Sequence, residues 1–493
     1  MFFSSNTTNI TYLEIILFLS LSLWTIYGVI YRLYLSPIAK FPGPKLAALT
    51  SWYEIYFNVV RDGQWLWEIK RMHEEYGMVN CSLLDFSSRL KIAGPIVRIN
   101  PFELHINDVD YYDELYAGNT RRREKYPWFV NAGGSPGSSF ETIGHDLHRL
   151  RRNAVNSFFS KRSIVATEPL IKSKLSLLSD VFQSHCAEAK PINLRVAFSS
   201  LTLDVISDYC YGEAFGALTD ENLAEIWSTT LSQVMSITTI VMHFPILCWG
   251  RQNTIFHELR DSNLLPPEEK TIKRLADDGN IMVGAGGETT AQTLAVLFYH
   301  LLDNPEMLLK VKDEISTLGE DITWGRLENL PFLSAAVTEA LRLSSVVTSR
   351  LPRVAPNEDM KFQEWTIPAG TPTSMSYYMI HYSPEIFPSP NEFEPARWLT
   401  GSVSDDSAAK DTVRKHRLDK YFVPFCKGTR ICLGMNLAYA ELFLTTAYIL
   451  KRFDLELYQT TKRDVEIKRD RFVAAPASGS RGIRVIVKHD NGE

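Results

Sequence analysis

The sequence predicts a mainly α-helical protein with a small β part: one large domain behind a single N-terminal transmembrane helix. Helical periodicity dominates residues 45–493, without internal repeats or long low-complexity linkers. The few strand candidates lie scattered among the helices and do not alternate with them, which argues against a doubly wound sheet. A run of uncharged residues, 15–31, precedes the domain and approaches the length of a bilayer span.

The N-terminal part divides into a short tail (1–14), a transmembrane anchor (15–34) and a proline-rich spacer (35–44) ahead of the domain (45–493). No Lys or Arg precedes the apolar run, whereas Arg32, Lys40 and Lys45 follow it, so the positive-inside rule leaves the domain in the cytosol. A cleaved signal peptide would need the opposite charge order, and a buried core helix would need neighbours to pack against. We therefore expect an uncleaved, single-pass anchor. Sequons begin at Asn6 and Asn9, so the tail is a candidate for N-glycosylation.

The composition is that of a globular protein. Of 493 residues, 45% are hydrophobic and 22% charged, which excludes wholesale disorder and fibrous repeats. The net charge of −5 makes nucleic acid an unsuitable partner at the level of bulk charge. Six cysteines in so long a chain do not form a disulfide framework and are typical of a reducing compartment.

Periodicity places the elements along the chain. Helices are predicted at 64–76, 145–159, 163–187, 196–211, 221–240, 267–302, 304–317, 331–343 and 436–452. Strands are predicted at 78–84, 96–99, 361–367, 371–376 and 482–488. The polar tract 401–415 is predicted to be an exposed loop.

The most informative stretch is the loop from Phe425 to Gly434, which precedes a strongly helical run. Cys432 falls just before that helix, where the positive end of the helix dipole favours a thiolate. A thiolate on a loop, with an aromatic ring at Phe425 and a cation at Arg430, suits axial ligation of haem iron. Cys426 is the rival ligand, and a small buried residue is the alternative for either cysteine.

This loop resembles the signature of the cytochrome P450 family, Phe-x-x-Gly-x-Arg-x-Cys-x-Gly. All five fixed positions match, and the fifth is Gly434. The resemblance covers nearly the whole chain and implies the fold of that family, haem b with Cys432 as the axial thiolate, and Phe425 and Arg430 beside the cofactor. The wider sequence resembles that of fungal, membrane-bound members of the family that act in specialised metabolism.

The second candidate site lies within the predicted helix 267–302. Its glycines destabilise a helix by about 1 kcal/mol each, which suggests that a flat cofactor lies against Ala285 and Gly286. Glu288 and Thr289 then supply a carboxylate and a hydroxyl that can deliver protons to bound dioxygen. The stretch also resembles the family's Ala-Gly-x-Glu-Thr-Thr motif. The alternative is a glycine-rich patch for helix packing, with a capping Thr.

The haem propionates need cations. His148 and Arg152 lie at i, i+4 on one helix face and resemble the family's propionate-binding helix. Arg350 falls where the family often adds another donor, and Arg430 is the last candidate. Solvated charge is the alternative for His148 and Arg350.

Three further residues resemble a structural motif of the family. Glu339 and Arg342 lie at i, i+3 on one helix face, and Arg397 follows downstream. In the family these residues hold the cysteine-bearing loop. We assign them a structural role.

One departure from the family concerns the stretch from Arg152 to Gly286, which is shorter than the resemblance implies. Helices that normally roof the substrate pocket are reduced before the long glycine-containing helix. The resemblance implies a haem-thiolate monooxygenase on the endoplasmic reticulum membrane. It would accept electrons from NADPH-cytochrome P450 reductase and oxidise an apolar terpenoid, polyketide or alkaloid. The alternatives are a truncated haem-binding form with little turnover and a haem-dependent isomerase or sensor.

Overall fold

The structure is a computed structural model that describes residues 4–76, 94–130, 134–243, 266–399 and 418–492. Within these ranges the chain is mainly helical with small sheets, as the sequence predicts. The predicted strand 78–84, the predicted loop 401–415 and residues 244–256 of the shortened stretch lie outside the described residues.

The α-helices of the described ranges are α1 (Ser4–Ile30), α2 (Lys45–Leu49), α3 (Trp52–Ile55), α4 (Trp65–Tyr76), α5 (Tyr112–Leu115), α6 (Pro127–Val130), α7 (His145–Asn156), α8 (Lys161–Ala166), α9 (Glu168–Glu188), α10 (Leu194–Tyr211), α11 (Glu221–His243), α12 (Ile272–Leu302), α13 (Pro305–Ser316), α14 (Trp324–Leu327), α15 (Pro331–Ser344), α16 (Tyr377–His381) and α17 (Met435–Arg452). Short 3₁₀ or π segments lie at Tyr31–Leu35, Tyr56–Val60, Val109–Tyr111, Pro267–Lys270, Pro395–Trp398, Gly428–Arg430 and Lys462–Asp464.

The predicted helices agree with these bounds to within a few residues, with two differences. The segment predicted at 163–187 is divided, because α8 ends at Ala166 and Pro169 stands in the first turn of α9. The long helix begins at Ile272, where the Thr271 hydroxyl accepts a hydrogen bond from the Arg274 N–H. Prolines before that point interrupt the helical pattern.

The strands are β1 (Ile96–Arg98), β2 (Leu104–Ile106), β3 (Glu124–Lys125), β4 (Ile192–Asn193), β5 (Arg353–Val354), β6 (Met360–Phe362), β7 (Trp365–Ile367), β8 (Thr373–Ser374), β9 (Phe453–Leu457), β10 (Arg469–Arg471), β11 (Val473–Ala475) and β12 (Arg484–Asp490). The largest sheet has the order β1-β2-β8-β5-β3, in which β2 and β8 are parallel and the other pairs antiparallel. In this sheet Lys125 lies directly opposite Arg353. The segment predicted as one strand at 361–367 is the β6–β7 hairpin.

The main core surrounds α10 and α12, which lie side by side. α10 is buried along most of its length, including small polar residues such as Ser199 and Thr202, because other helices enclose it. Phe198 of α10 and Phe298 of α12 are both buried, with ring centroids 5.0 Å apart. α9, α15 and α17 complete this cluster. The core therefore fixes α12 and the start of α17, which carry the candidate site.

The N-terminal helix stands outside this core. Among the described residues, Tyr12–Leu35 has a mean hydropathy of 2.0, is unburied, and is long and apolar enough to cross a membrane. The apolar run predicted from the sequence thus lies on one helix that protrudes from the domain.

Candidate haem-thiolate site

Cys432 lies on a tightly folded loop that ends where α17 begins. The Cys432 N–H donates to the Phe425 carbonyl at 2.9 Å, so the two ends of the loop are joined. Gly428 has φ = +72°, and a Cβ there would lie 2.2 Å from the Tyr116 and Ala117 carbonyl oxygens. Only glycine fits this position, which explains its place in the motif.

The Cys432 side chain has protein around it and still keeps accessible surface. Burial raises the pKa of the thiol, while the Gly434 N–H and the charge of Arg152 lower it in part. The residue nevertheless ranks as exposed. This accessibility leaves the Cys432 side chain available to a ligand.

Five basic side chains gather beside this cysteine: Lys125, His148, Arg152, Arg353 and Arg430. We call them the cation cluster. Burial, together with the smaller effects of the positive charges of Arg430, Arg152, Lys125 and Arg353, lowers the pKa of His148 to about 2. Burial and the neighbouring Arg353 also lower the pKa of Arg430, to about 9. Arg152 acts on both His148 and Cys432, so the cluster and the thiol form one site.

The positive charge of the cluster comes mainly from its arginines, because His148 is neutral and burial with the neighbouring Arg353 and Arg430 lowers the pKa of Lys125. This charge exceeds what its surroundings compensate. Among the described residues, the carboxylates that act on it are Glu124, beside Arg430, and Glu141, beside Lys125. Burial raises the pKa of Glu141 to about 7, so its own negative charge is weakened. Unpaired buried cations are costly unless an anion completes them.

Two nitrogen atoms of the cluster indicate where an anion would bind. His148 Nδ1 and Arg430 Nε are buried and have no hydrogen-bond partner within the described parts of the chain. The other Arg430 nitrogens donate to the Thr142 and Ile143 carbonyls at 2.6 and 2.8 Å, which fixes the guanidinium. Carboxylates of a cofactor would satisfy these donors, so the residues present fit a haem with its two propionates.

Arg350, predicted from the sequence as a propionate donor, does not belong to this group. Its Nε donates to Glu103 at 2.8 Å, and one Nη donates to Glu54 and Glu103 at 2.8 and 2.9 Å. Burial would lower the pKa of Arg350, but these two carboxylates raise it above its ordinary value. The prediction is corrected because the Arg350 guanidinium is paired with Glu54 and Glu103. Arg353, three residues later, belongs to the cation cluster instead.

Arg353 and Lys125 are the site residues that the sequence reasoning missed. Arg353 stood in the same stretch as Arg350, and Lys125 ended the basic run at 121–125, which was a usable signal. Only the β3–β5 pairing shows that they meet, because they are distant in sequence.

The open face of α12 carries Ala285 and Thr289, one helical turn apart. Ala285 is exposed and Thr289 partly so, and a Cβ at Gly284 would meet nothing within 4 Å. The Thr289 hydroxyl donates to the Ala285 carbonyl at 2.9 Å. This face of α12 is therefore accessible, and the roles of Ala285 at a cofactor and Thr289 in proton delivery stay predictions.

Gly286 and Glu288 point the other way, which corrects both predictions. A Cβ at Gly286 would lie 2.9 Å from Ile206, so this glycine permits the close approach of α10 and not of a cofactor. Glu288 is buried, and its Oε1 accepts a hydrogen bond from Arg195 Nε at 2.6 Å. This contact joins α12 to α10. On this side of α12, the stretch therefore serves helix packing, which is the alternative given by the sequence.

Glu339, Arg342 and Arg397 meet: the first two share a helix face as their spacing predicts, and Arg397 joins them as the family resemblance implies. Arg342 donates twice to Glu339, at 2.8 and 2.9 Å, and Arg397 Nε donates at 3.0 Å. The Trp398 indole N–H also donates to Glu339, at 2.8 Å. Burial alone would raise the pKa of Glu339, but the hydrogen bonds and charges of the arginines lower it. Arg342 also donates to the His381 carbonyl at 2.7 Å, so the group ties α15 to the segments that support the cysteine loop.

The comparisons with known proteins agree with this geometry. The family model for cytochrome P450 matches residues 104–263 and 265–480. The chain belongs to the cytochrome P450 family. It is 38% identical to tryptophan 6-hydroxylase fscE of Fusarium equiseti, over 93% of this chain and 94% of that protein. It is 37% identical to conidiogenone synthase PchP450 of Penicillium rubens, over 93% of this chain and 96% of that protein.

A third relative, cytochrome P450 monooxygenase sdnE of Sordaria araneosa, is 37% identical over 93% of this chain and 95% of its own length. The haem domain of a cytochrome P450DA mutant, solved as a crystal structure, has the same fold with a TM-score of 0.62 at 17% identity, over 80% of this chain and 88% of that one. The protein is thus an oxidoreductase of the P450 monooxygenase family, and the family implies a haem-thiolate centre. The alignment with fscE spans 507 positions but only 93% of this 493-residue chain, so the relative carries additional residues within it.

Proposed function

We propose that this protein is a membrane-anchored P450 monooxygenase that inserts one oxygen atom of O₂ into an apolar small molecule in fungal secondary metabolism. The observation that carries the proposal is the position of Cys432 beside the cation cluster, because one residue, Arg152, acts on both. Haem, when bound, supplies the centre that activates O₂, with one oxygen atom going to the substrate and the other leaving as water.

The residues of this chain have separable roles in that reaction. Cys432 would supply the thiolate ligand to the haem iron, and the N–H of Gly434 donates a hydrogen bond to its sulfur. The propionates would be held by His148, Arg152, Arg353, Arg430 and Lys125. Thr289 is the hydroxyl on the open face of α12, and its Oγ1 holds a proton for delivery. Glu288 positions α12 through Arg195 and does not deliver protons.

The substrate class follows from the relatives and from the site. One relative is named a tryptophan 6-hydroxylase and another a conidiogenone synthase. The open face of α12 presents Ala285 and the Thr289 side chain, which suits a largely apolar molecule with few polar groups. An aromatic or terpenoid substrate fits both observations.

The surface beside the cysteine loop indicates which kind of protein would donate electrons. A surface groove of about 260 Å³ there is lined by Asn119, His148, Arg149, Arg152, Asn153, Asn156, Gly428, Thr429 and Ile431. None of these residues is acidic, and Arg149, which is exposed and is not one of the propionate donors, gives the groove a positive charge that suits an acidic partner such as NADPH-cytochrome P450 reductase. With Tyr12–Leu35 as the anchor, the domain would face the cytosol at the endoplasmic reticulum.

The test is reconstitution of the full chain with haem and a P450 reductase. We expect the red-shifted ferrous–CO band of a thiolate-ligated haem, and NADPH-dependent hydroxylation of a tryptophan derivative or a terpenoid hydrocarbon. A ferrous–CO spectrum without that band, in a folded and haem-loaded protein, would exclude the proposed chemistry.

A second candidate, a haem-binding form with little turnover, is favoured by the residues that the fscE relative has and this chain lacks. If the reduced stretch opens the substrate pocket, haem still binds, because its ligands lie elsewhere. Substrate-induced spectral shifts would then be weak and NADPH consumption uncoupled. Tight, saturable spectral shifts with an apolar substrate would exclude this candidate.

A further inference from the structure

A surface groove of about 270 Å³ lies in the C-terminal part of the domain, where the 3₁₀ turn Lys462–Asp464 meets the loop that leads into β12. Three arginines line it: Arg463, Arg481 and Arg484. Among the described residues, Asp464 is the one acidic side chain that lines it. The groove therefore has an excess of positive charge. We call it the arginine groove.

The three groove arginines differ from other arginines in this part of the chain. Arg452 contacts Asp490 at 2.7 Å, while Arg469 and Arg471 contact Asp62 at 2.9 and 2.8 Å. Within the described ranges, no carboxylate forms an ion pair with any of the groove arginines. Their positive charge is therefore not compensated by the protein itself.

Asp464 does not neutralise the groove, because its carboxylate holds the surrounding backbone. It accepts hydrogen bonds from the Thr461 N–H at 3.0 Å and from the Ser480 hydroxyl at 2.7 Å, and from the backbone N–H of Arg481. Burial would raise the pKa of Asp464, but these hydrogen bonds lower it below its ordinary value. The carboxylate thus fixes the two sides of the groove relative to each other.

Two of the guanidinium groups are held in place and still have donors to offer. Arg463 donates through one Nη to the Ser478 carbonyl at 2.9 Å. Arg484 donates through one Nη to the Gln459 side-chain oxygen at 3.2 Å and lies 5.3 Å from the centre of the Tyr458 ring. The Arg484 Nε is buried and has no hydrogen-bond partner among the described residues. A buried donor without an acceptor is costly, so an acceptor supplied by a ligand would stabilise this arrangement.

The loop that carries Arg481 is also fixed. Gly482 has φ = +76°, and a Cβ there would lie 2.8 Å from the Asn193 side chain. The Leu194 N–H donates to the Ile483 carbonyl at 2.8 Å. The backbone of the groove is therefore organised before any ligand binds, which lowers the entropic cost of binding.

We propose that the arginine groove binds a phosphate group, carried by a soluble phosphate ester or by a lipid headgroup. The planar fork of a guanidinium matches the oxygen atoms of phosphate, and three such groups supply both charge and donors. The site is separate from the cation cluster, since the two share no residue. The proposal does not depend on the reaction proposed for the haem centre.

The test measures binding of radiolabelled inorganic phosphate to the full chain by equilibrium dialysis, with haem bound so that phosphate cannot occupy the cation cluster. Arg481→Gln and Arg484→Gln should each weaken binding about tenfold or more, because each removes charge-assisted hydrogen bonds. The matched control Arg162→Gln removes an exposed arginine outside the groove and should change binding less than about twofold. Arg481 is exposed, so its substitution keeps the test valid even where Arg484→Gln impairs folding.

Competition experiments distinguish the two sources of the phosphate group. Displacement of the label by dihexanoyl phosphatidic acid well below the concentration needed for glycerol 3-phosphate would assign the site to a lipid headgroup. Equal displacement by the two compounds would assign it to a soluble phosphate ester. Absence of saturable phosphate binding, or binding that Arg481→Gln weakens no more than Arg162→Gln does, would overturn the proposal.

Discussion

Lys125 and Arg353 lie directly opposite each other on β3 and β5, and both side chains are buried. Like charges at directly opposed positions destabilise a sheet, and burial increases the cost. Lys125 Nζ donates to the Phe140 carbonyl and Arg353 to the Leu351 and Pro352 carbonyls, none of which carries a charge. We infer that an anion such as a haem propionate would offset the cost of this pair. This pair distinguishes the cofactor site from the ordinary ion pairs of the domain.

The first prediction compares two neighbouring arginines. Arg353→Gln removes an uncompensated buried charge, so the apoprotein should keep its stability while haem occupancy falls. Arg350→Gln leaves Glu54 and Glu103 buried without their cation and should lower the free energy of unfolding by about 3–5 kcal/mol. Haem-to-protein ratio and thermal unfolding of the apoprotein measure the two effects. Similar haem loss in both variants, at unchanged stability, would restore Arg350 as a propionate donor.

The second prediction concerns the axial ligand. Cys432→Ser should abolish the red-shifted ferrous–CO band, because serine does not replace a thiolate as the donor to iron. Cys426→Ser should keep the band, since the Cys426 sulfur is buried with Lys427 and Arg353 as its polar neighbours. The ferrous–CO spectra of both variants are the measurement. Survival of the band in Cys432→Ser would reject the assignment.

The third prediction separates the neighbours Glu288 and Thr289. Thr289→Ala removes the hydroxyl from the open face, so peroxide released per NADPH should rise during substrate-supported turnover. Glu288→Gln should leave this ratio unchanged but lower the free energy of unfolding by about 1–3 kcal/mol, because it breaks the pair with Arg195. Equal uncoupling by both variants would show that Glu288 takes part in proton delivery.

The fourth prediction concerns Glu441 of α17, which is 2% exposed. Burial raises its pKa well above the ordinary 4.5, and a hydrogen bond with Thr290 offsets this only in part. The native state therefore keeps a proton that the unfolded chain releases above pH 4.5, so stability should fall as pH rises, by about 1.4 kcal/mol per pH unit.

Glu441→Gln is the corresponding variant. It keeps the shape of the side chain and removes its titration, so the variant should gain stability relative to the parent between pH 5 and pH 8. Thermal unfolding at several pH values measures the difference. A parallel pH dependence in the two proteins would show that Glu441 is ionised in the folded state.

The sequence alone determined the features that depend on local pattern. The order and bounds of the helices follow from periodicity, and the 221–240 and 331–343 predictions end within three residues of α11 and α15. The cysteine loop is similarly local, because Gly428 and Cys432 lie in one short motif whose backbone folds on itself. The ion pair between Glu339 and Arg342 could also be predicted from the sequence, since residues at i, i+3 share a helix face.

The tertiary structure alone decided which of several suitable side chains face the cofactor. Arg350 and Arg353 are equally basic and three residues apart, and only the placement of Glu54 and Glu103 assigns one to an ion pair and the other to the cluster. Gly286 and Glu288 fit a cofactor motif by sequence, but the approach of α10 occupies that face of α12. Burial and charge pairing depend on residues far apart in the chain, and a single sequence contains no measure of those distances.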